Sequence, residues 1–214
     1  MAKESLEIVS LQRFGREELL GALRETPLRG QADLRPYANA TLELTAPLRT
    51  DLLTPAQRYV LLPRVRAMIA LRRALLAHGV DLFALDGGLH MRTSADPEET
   101  IPVTPPVVEE SSEPDGRTVL LVNDGLHRVF AARTLGLPIS VVLVRGVSSE
   151  HPYYAYALPG GWSDVSELEE LPDDYQKKNY RQPDRYKALF RDFNVVFPGI
   201  QKERKKSNPA HLRA

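Results

Sequence analysis

Residues 118–144 read Thr118-Val-Leu-Leu-Val-Asn-Asp124-Gly125-Leu126-His127-Arg128-Val-Phe-Ala-Ala-Arg-Thr-Leu135-Gly136-Leu-Pro138-Ile-Ser-Val-Val-Leu-Val144. Five apolar or β-branched residues, Thr118 to Val122, form a buried strand. Asp124-Gly125 breaks it. A helix then runs from about Leu126 to Leu135, with Val129, Phe130, Ala132 and Leu135 available to a core. Gly136 ends the helix and Pro138 keeps it ended. Ile139 to Val144 makes a second buried strand. A strand, a tight turn, a helix and a strand thus fit into 27 residues.

The turn is a candidate site on local physics alone. A glycine lets the backbone reverse sharply, and the first helical turn then presents unpaired amides. Those amides and the helix dipole favour an anion, usually a phosphate. His127 and Arg128 stand in the same turn, and arginine offers a planar fork of donors suited to phosphate. Positive side chains are disfavoured at a helix N-terminus, so something negative belongs with them. It is either a bound anion or Asp124 itself, capping the helix and pairing with Arg128.

Outward from this unit the chain has 214 residues, 28 Lys+Arg against 28 Asp+Glu, 43% apolar residues and no cysteine. The length is enough to bury a sizeable core. Without cysteine there is no disulfide framework, thiolate metal site or thiol nucleophile. No apolar run is long enough to span a membrane, and the N-terminus lacks a secretory apolar stretch. The chain is expected in the cytoplasm. The zero net charge hides an uneven distribution. Residues 52–80 hold five arginines (Arg58, Arg64, Arg66, Arg72, Arg73) and no acid, whereas 94–116 hold seven acids, five prolines and no base. Residues 201–214 are basic and polar, and are expected to be a flexible tail.

The remaining elements follow from punctuation and period. A strand is expected at Leu6–Val9, a helix at Arg16–Arg24 and a strand at Ala40–Leu44. Thr54-Pro55 reads as a helix start, with Pro63 as a second start or a kink. Pro63–His78 is an amphipathic helix closed by Gly79; its arginines read first as the wetted edge of that helix. Val80–Leu85 is expected as a short strand and Asp86-Gly87-Gly88 as a turn. Residues 94–100 and 111–116 are expected as loops. The prolines at 102, 105 and 106 confine Val107-Val108 to an edge or a strand start. Tyr153, Tyr154, Tyr156 and Trp162 read as packed aromatics before base-stacking ones. A further helix is expected over Pro183–Phe193. The histidines show no metal-ligand spacing.

The string from Val119 to Ala132, ending in Leu135-Gly136 and followed by the strand Ile139–Val144, resembles the ParB/sulfiredoxin superfamily over about 105–147. The resemblance implies an α+β fold: a core of a small mixed sheet with packed helices over about 80–147, within one domain over 1–200 that carries an N-terminal and a C-terminal (148–200) addition. It also implies a nucleotide ligand, a nucleoside di- or triphosphate (ATP, ADP or CTP) with Mg²⁺. Gly125, His127 and Arg128 would contact phosphate, and Asp124 would shape the turn or hold a metal-bound water. Glu109 or Glu110, on the strand entering the unit, could act as general base in phosphoryl transfer; both read equally well as solvent-facing. The implied activity is phosphotransfer or NTP/NDP hydrolysis. The departures are informative. Sulfiredoxin has its reactive cysteine directly before the histidine, where this chain has Leu126, so that chemistry is excluded. No helix-turn-helix follows the core. The alternatives are a non-catalytic module that binds DNA or a protein through the Arg58–Arg73 helix and the basic tail, and, last, a DNA nuclease. No membrane partner is expected, and the oligomeric state is left open.

Overall fold

The computed structural model describes residues 7–173 and 175–200. The chain opens with β1 (Ile8–Phe14), α1 (Arg16–Arg24) and β2 (Thr41–Leu44). Next come β3 (Leu53–Pro55), β4 (Tyr59–Leu61) and α2 (Leu62–Leu76). A hairpin of β5 (Gly88–Thr93) and β6 (Asp96–Val103) leads into β7 (Val107–Ser112), β8 (Thr118–Val122), α3 (Leu126–Thr134) and β9 (Val142–Arg145). β10 (Ser166–Leu168) and α4 (Phe193–Val196) follow. This is an α+β fold with mixed strand pairing. A five-stranded sheet runs in the order β2-β9-β7-β8-β3, beside a three-stranded sheet β1-β5-β6 and a two-stranded ladder of β10 on β4.

The quoted stretch folds as its pattern demands. β8 pairs antiparallel with β7, from Val108 opposite Val122 to Ser112 opposite Thr118. Ala131 and Ala132 in α3 are completely buried, because small side chains let a helix approach a sheet closely. The helix ends in a Schellman closure, with Gly136 N–H donating to Arg133 O and Leu137 N–H to Ala132 O. β9 then runs parallel to β7, with Val107 opposite Val142. β3 runs parallel to β8, with Pro55 opposite Val122. The ends of β3 and β8 and the starts of β7 and β9 therefore meet along one border of the sheet. Both α2 and α3 begin there.

The core is apolar side chains from both faces of this sheet. On one side α2, α3 and the 80–85 segment pack together; Val65, Leu75, Val129 and Ile139 are among the buried residues. On the other, α1 and α4 cover β2, β7 and β9 through Leu19, Leu23, Val107, Val142 and Phe193.

Several expectations are corrected. Thr54-Pro55 does not start a helix; it lies in β3. β3 is at the end of the sheet order, where a residue without an N–H is tolerated. Pro63, in the first turn of α2, marks the real helix start. Val80–Leu85 is not a strand. Val80, Leu82, Phe83 and Leu85 are buried, but Asp81 Oδ1 accepts the Phe83 N–H at 3.0 Å, a local turn bond that competes with extended pairing. Residues 94–100 are not a loop but the hairpin turn and most of β6, whose acids and Pro97 lie exposed on an edge strand. Within 111–116, Ser111 and Ser112 complete β7 and only the rest is a turn. Val107 does begin a strand, and that strand is central: Pro106 contributes its carbonyl, which accepts the Val142 N–H at 2.8 Å. The expected helix over Pro183–Phe193 is instead a 3₁₀ turn, Tyr186–Leu189, followed by extended chain that carries Arg191 inward before α4. Residue 6 and the 201–214 tail lie outside the described residues.

Candidate anion-binding site

Gly125 takes φ +82°, the left-handed region, and is the N-cap of α3. A Cβ there would lie 2.9 Å from Pro106 Cβ and 3.1 Å from Arg128 Nη2. Only glycine fits both the angle and the space. The turn is anchored from below by β7: Asn123 N–H and Asp124 N–H both donate to Val107 O, at 2.9 and 3.1 Å. Among the described residues no side chain caps the α3 amides, and no acid stands in the first turn of α3. Asp124 is therefore not a capping residue. Its Oδ2 accepts from Arg128 Nη2 at 3.1 Å.

Arg128 is 9% exposed. Burial presses its guanidinium below the usual arginine range, and Asp124 works against that. Its one bond to Asp124 leaves the other guanidinium N–H groups without an acceptor among the described residues. None of those nitrogens is both buried and without a partner, so the remaining donors of this largely buried residue are open to solvent, where an anion can reach them.

His127 reaches across to the start of α2. Its Nε2 accepts the Leu61 N–H at 3.1 Å, and Leu61 is the N-cap of α2. Burial, then the nearby charges of Arg64 and Lys177, pull its pKa down to about 4. The ring is neutral at pH 7, with Nδ1 carrying the proton and free to donate. α2 also begins without an acid in its first turn or a side-chain cap. Two helix N-termini, Arg64, Lys177, Arg128 and the His127 donor thus concentrate positive potential in one place. Arg64 sits in the exposed first turn of α2.

The other candidates are placed differently. Glu109 is 2% exposed at the base of the turn, not at its mouth. Arg191 grips it with two bonds, Nε to Oε1 at 2.9 Å and Nη2 to Oε2 at 3.0 Å. Tyr37 OH and Asn123 Nδ2 also donate to Oε1. Glu110 faces outward, with Oε2 3.7 Å from Arg145 Nε. Along α2, Arg66 pairs with Glu169 and Arg72 with Asp81. Tyr153 and Tyr154 are buried, whereas Trp162 donates its indole N–H to Leu53 O at 2.7 Å. Leu61, Lys177 and Arg191 carried no signal in the sequence: a backbone amide has no residue signature, and the two cations lie far along the chain. Arg64 was visible only as part of the arginine-rich run. Among the described residues, no group of three or more His, Asp or Glu could hold a metal ion, and no helix is long and apolar enough to cross a membrane.

β8, next to the central strand β7, thus delivers a glycine turn and a cation-bearing helix. The ParB CE domain family model matches residues 18–166, and the chain belongs to that family. No curated protein matches the chain.

Proposed function

We propose that the chain binds a nucleoside di- or triphosphate, with its phosphates at the joined N-termini of α2 and α3. The observation that carries this is Arg128: a buried guanidinium with donors left over, beside a glycine turn and a neutral histidine donor. A phosphate supplies the acceptors that Asp124 alone does not. The exposed Arg64 adds charge on the α2 side. Mg²⁺ would arrive with the phosphates, and Asp124 is the carboxylate at hand to hold a water on it. Phosphoryl transfer or hydrolysis at this site would use Asp124 for that purpose. Glu109 has both oxygens engaged in the interior and fits a supporting part.

Isothermal titration of ATP, ADP and CTP with Mg²⁺ tests the reading. Wild type is expected to bind at least one, more weakly as salt rises. Arg128→Ala and His127→Ala are expected to lose most of that affinity. Asp124→Asn releases Arg128, so binding should hold or tighten a few-fold while any phosphate release stops. If wild type binds none of the three nucleotides, the reading is wrong.

A further inference from the structure

The residue before the anion-binding turn is held at both of its polar ends, and behind each holder stands a buried cation from the chain that follows the matched family region. The side-chain amide of Asn123 donates to Glu109 Oε1 and to Tyr37 OH, the latter at 2.7 Å. Glu109 is in turn gripped by Arg191. Arg191 is fully engaged: Nη1 donates to Leu189 O at 2.8 Å and Pro152 O at 3.1 Å, and Nη2 also donates to His151 O at 2.8 Å. At the other end, the Asn123 carbonyl accepts from Tyr153 OH at 3.4 Å. Lys178 donates to that same hydroxyl and, at 2.6 Å, to Tyr154 OH. Lys178 and Arg191 are 4% and 3% exposed, and both lie beyond residue 166, where the family match ends.

The geometry points to Arg191 as a positioning residue for the turn at 124–128, acting through Glu109 and Asn123. Arg191 does not touch the guest. It immobilises the Glu109 carboxylate, which holds the Asn123 amide. With its backbone N–H already on Val107 O, Asn123 is then fixed in orientation. Asp124, anchored by its own N–H on Val107 O, and Gly125 continue directly from that fixed residue into the first turn of α3. The terminal segment is thereby a component of the site. Groups that orient metal ligands are typically worth about ten- to a hundredfold in affinity or activity, which sets the scale expected for a group that orients this turn. The inference rests on the phosphate reading for what the turn holds, and not for how the turn is held.

Arg191→Lys keeps the charge and removes the fork; Asn123→Ala leaves the Glu109–Arg191 pair intact and cuts the link. Two readouts are needed on the full chain: affinity for Mg²⁺–ATP, Mg²⁺–ADP or Mg²⁺–CTP, whichever wild type binds, and the NMR titration of the His127 ring without ligand. Each single variant is expected to bind about tenfold more weakly, and the double variant no more weakly than Asn123→Ala alone. The His127 pKa should climb from about 4 toward 6.5 in both, since a loosened turn hydrates the ring. Denaturation midpoints identify any variant that has simply unfolded, and Tyr153→Phe, which removes the carbonyl pin and one of the two Lys178 acceptors without opening a cavity, then replaces it. Variants that fold, yet keep wild-type affinity and a wild-type His127 titration, overturn the proposal, as do losses that merely add. If wild type binds no nucleotide, the phosphate reading falls, and the His127 titration alone decides whether Arg191 positions the turn.

Discussion

Acidification should destabilise this protein through one ring. His127 has its pKa lowered to about 4 by burial first, then by Arg64 and Lys177. Its Nε2 is committed as an acceptor to Leu61 N–H, so a proton there would set two donors against each other. In the unfolded chain the same ring titrates near its ordinary value of 6.5. Between those two values the unfolded state holds the proton and the folded state refuses it, so stability falls as pH falls. The gap, at about 1.4 kcal/mol per pH unit, comes to roughly 3 kcal/mol. The loss begins near pH 6.5 and is complete near pH 4. For a chain of this size that is a drop of roughly 6–12 °C in Tm. Urea denaturation followed by the single tryptophan, Trp162, measures it at half-unit steps from pH 7 to 4. Other groups titrate in the same window, so the comparison is with His127→Gln, whose amide oxygen can take the Leu61 bond without ionising. The stability difference between wild type and this variant should shift by about 3 kcal/mol across the window. Parallel curves from pH 7 to 4 would refute the reasoning. A bound phosphate raises the His127 pKa, so at pH 5 nucleotide binding should also take up a proton, visible as titration heats that depend on the buffer.

Two substitutions probe the frame around the turn. Gly125→Ala meets both the left-handed φ and Pro106 at 2.9 Å, and is expected to cost at least about 1–2 kcal/mol and to abolish nucleotide binding; an alanine variant with wild-type stability and affinity would show that the turn is not tightly built. Glu109→Leu and Arg191→Met each leave a fully buried charge unpaired, and each should lose about 3–5 kcal/mol in chemical denaturation, whereas the double variant should lose less than the sum of the two, its remaining loss coming from Tyr37, Asn123 and the carbonyls that Arg191 holds. Singles within about 0.5 kcal/mol of wild type, the range of surface changes, would mean that the pair is not held in the interior.

The elements that were legible from local pattern are those whose own apolar period and stop residues specify them, even where the partner is remote, as β9 is for β2. β8, α3 and its Gly136 closure, α1 and β2 all appear where their periodicity and caps put them. The failures have two causes. Pro55 occupies a strand because β8 lies beside it, and Leu82 and Phe83 are buried without forming a strand because Asp81 ties the backbone locally. The expected helix at 183–193 gave way because Arg191 finds Glu109 across 82 residues. The contacts at Pro55 and Arg191 are tertiary, override propensity and leave no trace in a window of ten residues, whereas the Asp81 bond is local turn chemistry.

The candidate site divides in the same way. That a glycine, a histidine and an arginine follow a buried strand is local information, and it was enough to locate a turn with the chemistry to receive phosphate. The chain's own order of residues also determined that the turn is tight, since Asp124-Gly125 interrupts an apolar run. Only the folded molecule decided what each side chain does there. It pairs Asp124 with Arg128 without a cap, sets the start of α2 against His127, surrounds that ring with Arg64 and Lys177, and draws Glu109 into the interior. The physical reason is that charge, desolvation and hydrogen bonding act over a few ångströms of space, and those distances are set by how the sheet brings remote segments together.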